Sequence, residues 1–133
     1  MAWEIEFTPE AEQWFNGLGA KDAHHIWKAI EHLREHGPRL GRPRAASIGG
    51  SRHHNMKELR SAGGHLRALF AFDPRRRAVI LLGGDKSNDW KGWYVRNIPL
   101  ADKLYDRHLR SIGTGERWPA RTRTGERSVS SGR

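Results

Sequence analysis

Three strand-length segments follow one another between residues 56 and 86: Met56–Ser61, Leu66–Phe72 and Ala78–Leu82. Ala62-Gly63-Gly64-His65 separates the first two, and Asp73-Pro74-Arg75-Arg76 the last two. A glycine pair tolerates the positive φ of tight hairpin turns, so this stretch predicts an antiparallel meander. Ala78–Leu82 is apolar on both faces, as a central strand is. A turn at Gly63-Gly64 pairs Ser61 with Leu66 and Arg60 with Arg67. Side chains alternate across a strand, so Glu58, Arg60, Arg67 and Leu69 share one face. Leu59, Ala68, Phe70 and Phe72 share the other. Two arginines directly opposite one another repel, at a cost of roughly 0.2–1 kcal/mol. Glu58, diagonal to Arg67, relieves part of that cost. A bound phosphate would relieve more, because the guanidinium fork fits phosphate oxygens. The plain alternative is a pair of solvated arginines, which a one-residue slip in register would separate.

The rest of the chain supplies what a meander needs to be stable. Trp3, Ile5 and Phe7 alternate with Glu4 and Glu6, the pattern of a half-buried strand. Thr8-Pro9 opens a helix, with Thr8 as N-cap and Pro9 at the first helical position. Ala11, Trp14, Phe15 and Leu18 form its apolar stripe. A second helix, from about Lys21 to His36, buries Ala23, Ile26, Trp27, Ile30 and Leu33 and stops at Gly37-Pro38. The two read as an antiparallel hairpin covering one face of the sheet. Residues 37–55 read as a basic loop and 83–97 as a polar loop with aromatics. Pro99 is expected to open a third helix to about Ile112, burying Ala101, Leu104, Tyr105, Leu109 and Ile112. The fold class is α+β: a small antiparallel-rich sheet packed against an N-terminal helical hairpin, with a C-terminal helix. Residues 1–112 form the domain. Residues 113–133 are nearly devoid of apolar groups and read as a basic, disordered tail.

The net charge of +9 favours a polyanionic partner, nucleic acid foremost. The absence of cysteine excludes disulfides and thiolate metal sites and fits a reducing cytoplasm. The first residues show no basic stretch followed by an apolar run, so no signal peptide is expected, and no apolar run is long enough to span a membrane. Eight histidines raise the question of a metal. His32 and His36 stand at i, i+4, but Glu31 and Glu35 read as pointing elsewhere, so no metal and no cofactor is expected. His53-His54 reads as lying near the arginine pair, where a histidine can move a proton. Residues 83–97 interleave Lys86, Trp90, Lys91, Trp93, Tyr94 and Arg96. Rings and cations so mixed can stack on bases and meet phosphates, although Trp93 and Tyr94 equally suit capping of the core. Gly63-Gly64 and Gly83-Gly84 read as turn glycines, with no phosphate-binding fingerprint around them.

In this order of elements the chain resembles the toxins of the RelE/ParE superfamily, in its HigB-like, phage-derived branch. The resemblance rests on Phe7-Thr8-Pro9-Glu10-Ala11, on Met56-Lys57-Glu58-Leu59-Arg60, on Leu66 through Asp73, on Ala78 through Lys86, and on the helix from Pro99 through Tyr105. It implies the RelE-like microbial RNase fold and the toxin of a type II toxin–antitoxin pair. The implied activity is an endoribonuclease that cuts mRNA on translating ribosomes without metal, by attack of the ribose 2′-hydroxyl on the adjacent phosphate. The implied catalytic residues are Arg67 for the transition state, Arg60 for the phosphate, Lys86 as a further cation and Glu58 for the proton. Lys57, His54, Lys91, Trp93 and Tyr94 would contact RNA. The implied partner is a cognate antitoxin with a helix-turn-helix domain, through which alone the toxin meets operator DNA. The sequence departs from the family pattern where Met56 and Glu58 stand in place of lysines, and in a longer, Trp-rich loop 85–97. A gyrase-poisoning toxin without nuclease chemistry and a plain nucleic-acid-binding module are the other readings.

Overall fold

A computed structural model describes residues 2–62, 64–86, 89–113 and 121–122. The chain runs β1 (Glu4–Phe7), α1 (Pro9–Asn16), α2 (Ala20–His36), a short 3-10 turn at Gly37–Arg39, β2 (Ala45–Ser47), β3 (Lys57–Arg60), β4 (Leu66–Phe72), β5 (Arg77–Asp85), α3 (Trp90–Gly113) and β6 (Arg121–Thr122). The strands form one sheet in the order β2-β3-β4-β5-β1-β6. The predicted meander is β3-β4-β5, antiparallel throughout, and β5 is an inner strand. β1 lies parallel to β5 on its far side, which α1 and α2 make possible as the crossover.

Thr8 starts α1 as expected. Its hydroxyl accepts from the Ala11 N–H at 3.0 Å and donates to the Leu81 carbonyl at 2.6 Å, fixing the helix to the central strand. The hairpin α1-α2 covers one sheet face, where Phe7, Ile30, Leu33, Leu59, Phe70 and Ile80 are buried. The other face is also covered. α3 lies across it and buries Met56, Leu69, Val79, Leu81, Trp93 and Tyr105. The architecture is therefore three layers, helix pair, sheet and long helix.

Four expectations are corrected. The loop read at 83–97 is the end of β5 followed by two turns of α3, and Pro99 sits inside that helix rather than at its start. A proline removes one helical N–H. Here Pro99 and Val95, whose carbonyl loses its partner, are both exposed, so water can replace the missing bond. Gly83 and Gly84 are strand residues, not turn residues. A Cβ at Gly83 would lie 2.5 Å from the Trp14 ring, and one at Gly84 2.3 Å from Trp93 Nε1. Two tryptophans, one from each helical layer, thus require glycine at adjacent positions of β5. β1 is not half-exposed: Glu6 is buried like Ile5 and Phe7, because β1 has layers on both sides. The basic loop also contains β2, which extends the sheet beyond β3. Most of the expected tail lies outside the described residues; within it Arg121 and Thr122 pair antiparallel with β1. No helix among the described residues is long and apolar enough to cross a membrane.

Candidate active site

The register read from the glycine turn is the one observed: Glu58 faces Leu69, Leu59 faces Ala68, and Arg60 faces Arg67. Ser61 N–H bonds the Leu66 carbonyl at 3.3 Å, and Gly64, at φ 86°, returns its N–H to Ser61 at 3.0 Å. Residue 63 lies outside the described residues.

The two arginines converge on one carboxylate. Arg60 donates through Nε and Nη2 to Glu58 Oε2 at 2.9 and 2.7 Å. Arg67 Nε stands 3.4 Å from Glu58 Oε1. Arg67 is held from behind as well, donating from Nη1 to the Gly64 carbonyl at 2.6 Å and the Leu66 carbonyl at 3.1 Å. Tyr94, from the second turn of α3, donates its hydroxyl to Glu58 Oε1 at 2.5 Å. Burial pushes the Tyr94 phenol above its usual range. The hydrogen bond to anionic Glu58 adds to this, and the Arg67 guanidinium opposes it. The phenol therefore keeps its proton at neutral pH. The electrostatic oddity of paired arginines has a local cause: one buried carboxylate serves both, and the cluster keeps a net single positive charge.

Exposure differs between the two cations. The Arg60 side chain is 25% exposed and that of Arg67 8%, so Arg60 is the one that solvent reaches. Lys86 lies at the same end of the sheet: β5 runs past Arg67 at Gly84, and the Lys86 N–H bonds the His65 carbonyl at 3.0 Å in the β3-β4 turn. Lys91 is exposed one turn before Tyr94. Arg60, Arg67, Lys86, Lys91 and Tyr94 thus share one end of the molecule, around Glu58.

Three residues named from the sequence do not join them. Trp93 is a core residue, 6% exposed, with its ring against Gly84, and it offers no face to a base; packing decided between its two readings. Lys57 points to the opposite face, its ammonium 6.0 Å from the Phe72 ring. His54 belongs to a loop pinned to the middle of α3. There Ser51 donates to Asp102 at 2.5 Å, the Arg52 N–H bonds Asp102 at 2.9 Å, and His53 Nε2 meets Asp106 at 2.8 Å. Arg52 also pairs with Asp106. Twelve residues of helix separate Asp106 from Tyr94, about 18 Å at 1.5 Å per residue, so His53 and His54 are remote from the arginines. The i, i+4 spacing of Asp102 and Asp106 was the available signal for this anchor.

A second buried polar group was not anticipated. His108 Nε2 bonds Asp73 at 2.8 Å, and Arg77 Nη1 bonds Glu6 at 3.1 Å, with Arg75 between the two carboxylates. Burial would raise the Asp73 pKa, but the bonds from His108 and the Arg77 N–H, with the charges of His108 and Arg75, bring it below its usual value. Asp73 reads as a turn residue from sequence, which hides this role.

Comparison with known proteins places this geometry in context. Residues 13–106 match the family described as phage-derived protein Gp49-like. A Mycobacterium tuberculosis protein named as a toxin, HigB3, is 48% identical over 107 residues, covering 80% of this chain and 94% of that protein. A second, named as the toxin HigB2, is 44% identical over 111 residues, and the match spans 55% of its length. Among solved structures, a free double-arginine mutant of the Escherichia coli toxin RelE aligns with a TM-score of 0.53 at 15% identity. The isolated Escherichia coli RelE toxin aligns with the same TM-score at 13% identity. Each alignment covers 74% of this chain and 99% of the other. At that identity the likeness is one of fold.

Proposed function

The chain belongs to the Gp49-like family of phage-derived proteins, in the HigB-like branch of the RelE superfamily, and on that premise we propose that it is the toxin of a type II toxin–antitoxin pair and an endoribonuclease that cleaves mRNA on translating ribosomes. The observation that carries the reading is the directly opposed Arg60–Arg67 pair gathered around Glu58 and Tyr94, with Lys86 and Lys91 at the same end.

The chemistry needs no group beyond these side chains. The 2′-oxygen of a ribose attacks the adjacent phosphorus, the bond to the 5′-oxygen breaks, and the products are a 2′,3′-cyclic phosphate and a 5′-hydroxyl. Negative charge grows on the phosphoryl oxygens, and fixed cations there lower the barrier. Arg60, the more exposed, holds the phosphate. Arg67, fixed by Glu58 and by two backbone carbonyls, meets the developing charge. Lys86 and Lys91 add attraction for the RNA backbone. Glu58 takes the 2′-proton on the oxygen that Arg60 leaves as it turns to the phosphate. Tyr94, whose phenol stays protonated, is suited to give a proton to the leaving 5′-oxygen. Its partly exposed ring can also meet the RNA. The partners are mRNA on the ribosome and a cognate antitoxin with a helix-turn-helix domain. The antitoxin covers the basic end and alone brings the toxin to operator DNA.

Induction of the protein followed by mapping of cellular mRNA 5′ ends tests the reading. New 5′-hydroxyl ends are expected, absent for Arg67→Ala. Growth arrest with intact mRNA and a DNA-damage response would replace it with gyrase poisoning.

A further inference from the structure

On the last turn of α2, three groups able to bind a metal stand together. His32, Glu35 and His36 occupy i, i+3 and i+4, and one ligand atom from each lies within 4.8 Å of the others. The imidazole planes of His32 and His36 are 9° apart with centroids at 6.2 Å, and Glu35 Oε1 is 3.9 Å from His36 Nε2. The sequence spacing alone misplaces Glu35, which reaches back over the turn beside His36. Glu31 and Glu35 line one hollow with Arg34 and Ala2, so the carboxylates there outnumber the cation.

A tetrahedral zinc ion with bonds of about 2.0–2.2 Å sets its donors roughly 3.3–3.6 Å apart. The three atoms are within about 1.5 Å of that arrangement, by the same bond lengths. Glu35 and His36 are exposed and His32 is half-buried, so side-chain rotation alone closes the gap, with the helix as a rigid template. The buried group Glu6, Asp73 and His108 also converges, but Arg75 and Arg77 already neutralise its carboxylates and it is closed to solvent.

We propose that His32, Glu35 and His36 form a surface site for one divalent transition metal of the kind imidazole favours, Zn2+ or Ni2+, with a position left open to water or to a partner's side chain. The site lies on the helical-hairpin layer, across the sheet from Tyr94. Its occupancy is therefore separate from the arginine cluster and does not depend on the nuclease reading.

Calorimetric titration of the metal-free chain with ZnCl2 or NiCl2 tests it, alongside the thermal midpoint with and without metal. One equivalent is expected to bind, and the midpoint to rise, since a ligand that binds the folded form stabilises it. The double variant His32→Ala/His36→Ala should lose that equivalent, and Glu35→Gln, which removes a charged ligand, should weaken it. His24→Ala/His25→Ala should leave it unchanged. Because none of these side chains belongs to either buried core cluster, circular dichroism should show every variant folded. Absence of binding to the folded wild-type chain, or equal binding by His32→Ala/His36→Ala, would overturn the proposal.

Discussion

The weight of the candidate site falls on a few atoms. Glu58 has two oxygens; Arg60 and Tyr94 donate hydrogen bonds to them, and the Arg67 guanidinium stands beside them as an ion pair. Changing the shape of a donor should therefore matter as much as changing its charge. Arg67→Lys keeps the charge but loses the planar guanidinium that reaches Glu58 and two backbone carbonyls at once. RNA cleavage by this variant should fall sharply while circular dichroism stays that of the wild type; full activity would mean that Arg67 acts only as a point charge. Tyr94→Phe removes one hydroxyl from the cluster. If the phenol supplies the proton to the 5′-oxygen, single-turnover cleavage of a model RNA should slow by ~10²–10⁴-fold, and substrate binding should change little. A loss confined to binding would reduce Tyr94 to a contact residue.

Elements explain why the site is where it is. β5 runs to Asp85 and α3 begins at Trp90, so the chain reverses at the arginine end and lays Tyr94 over Glu58. That reversal seats Trp93 of α3 against Gly84, where a Cβ would meet its ring. Gly84→Ala should destabilise the protein by about 1–3 kcal/mol, the usual cost of overfilling a packed core, seen as a lower denaturant midpoint. No change in the midpoint would show that Trp93 can move aside. The start of α3 was illegible in sequence for an identifiable reason. Trp90 through Asn97 is rich in aromatics and cations, and Pro99 is a strong local signal for a helix start, yet packing of Trp93 and Ile98 against the sheet outweighs it. The strands β3, β4 and β5 were legible because glycine and proline turns punctuate them and their apolar pattern has a single good register.

At the scale of the molecule, the layers trap polar groups that no local pattern reveals. Asp73 is buried with His108, and its folded pKa is below the ordinary 3.8. A depressed carboxylate contributes stability above its unfolded value and loses it as pH falls through the folded one. Asp73→Asn should therefore be less stable than wild type at neutral pH by chemical denaturation. The gap should narrow once the pH drops below about 4, near the unfolded carboxylate value. A gap constant with pH would mean that Asp73 acts through shape alone.

Local periodicity and turn chemistry suffice for the α+β class, the N-terminal hairpin of helices, the meander, and the pairing of Arg60 with Arg67. The sequence also singled out Glu58 and Tyr94 without showing that they touch. The folded chain was needed to show that α3 closes the second face, that Trp93 is core and His54 remote, and that Glu35 turns toward His32 and His36. Those outcomes depend on contacts between segments distant in the chain, or on side-chain directions that spacing does not specify. A long helix folding back across a sheet sets them all at once, through the apolar area it buries.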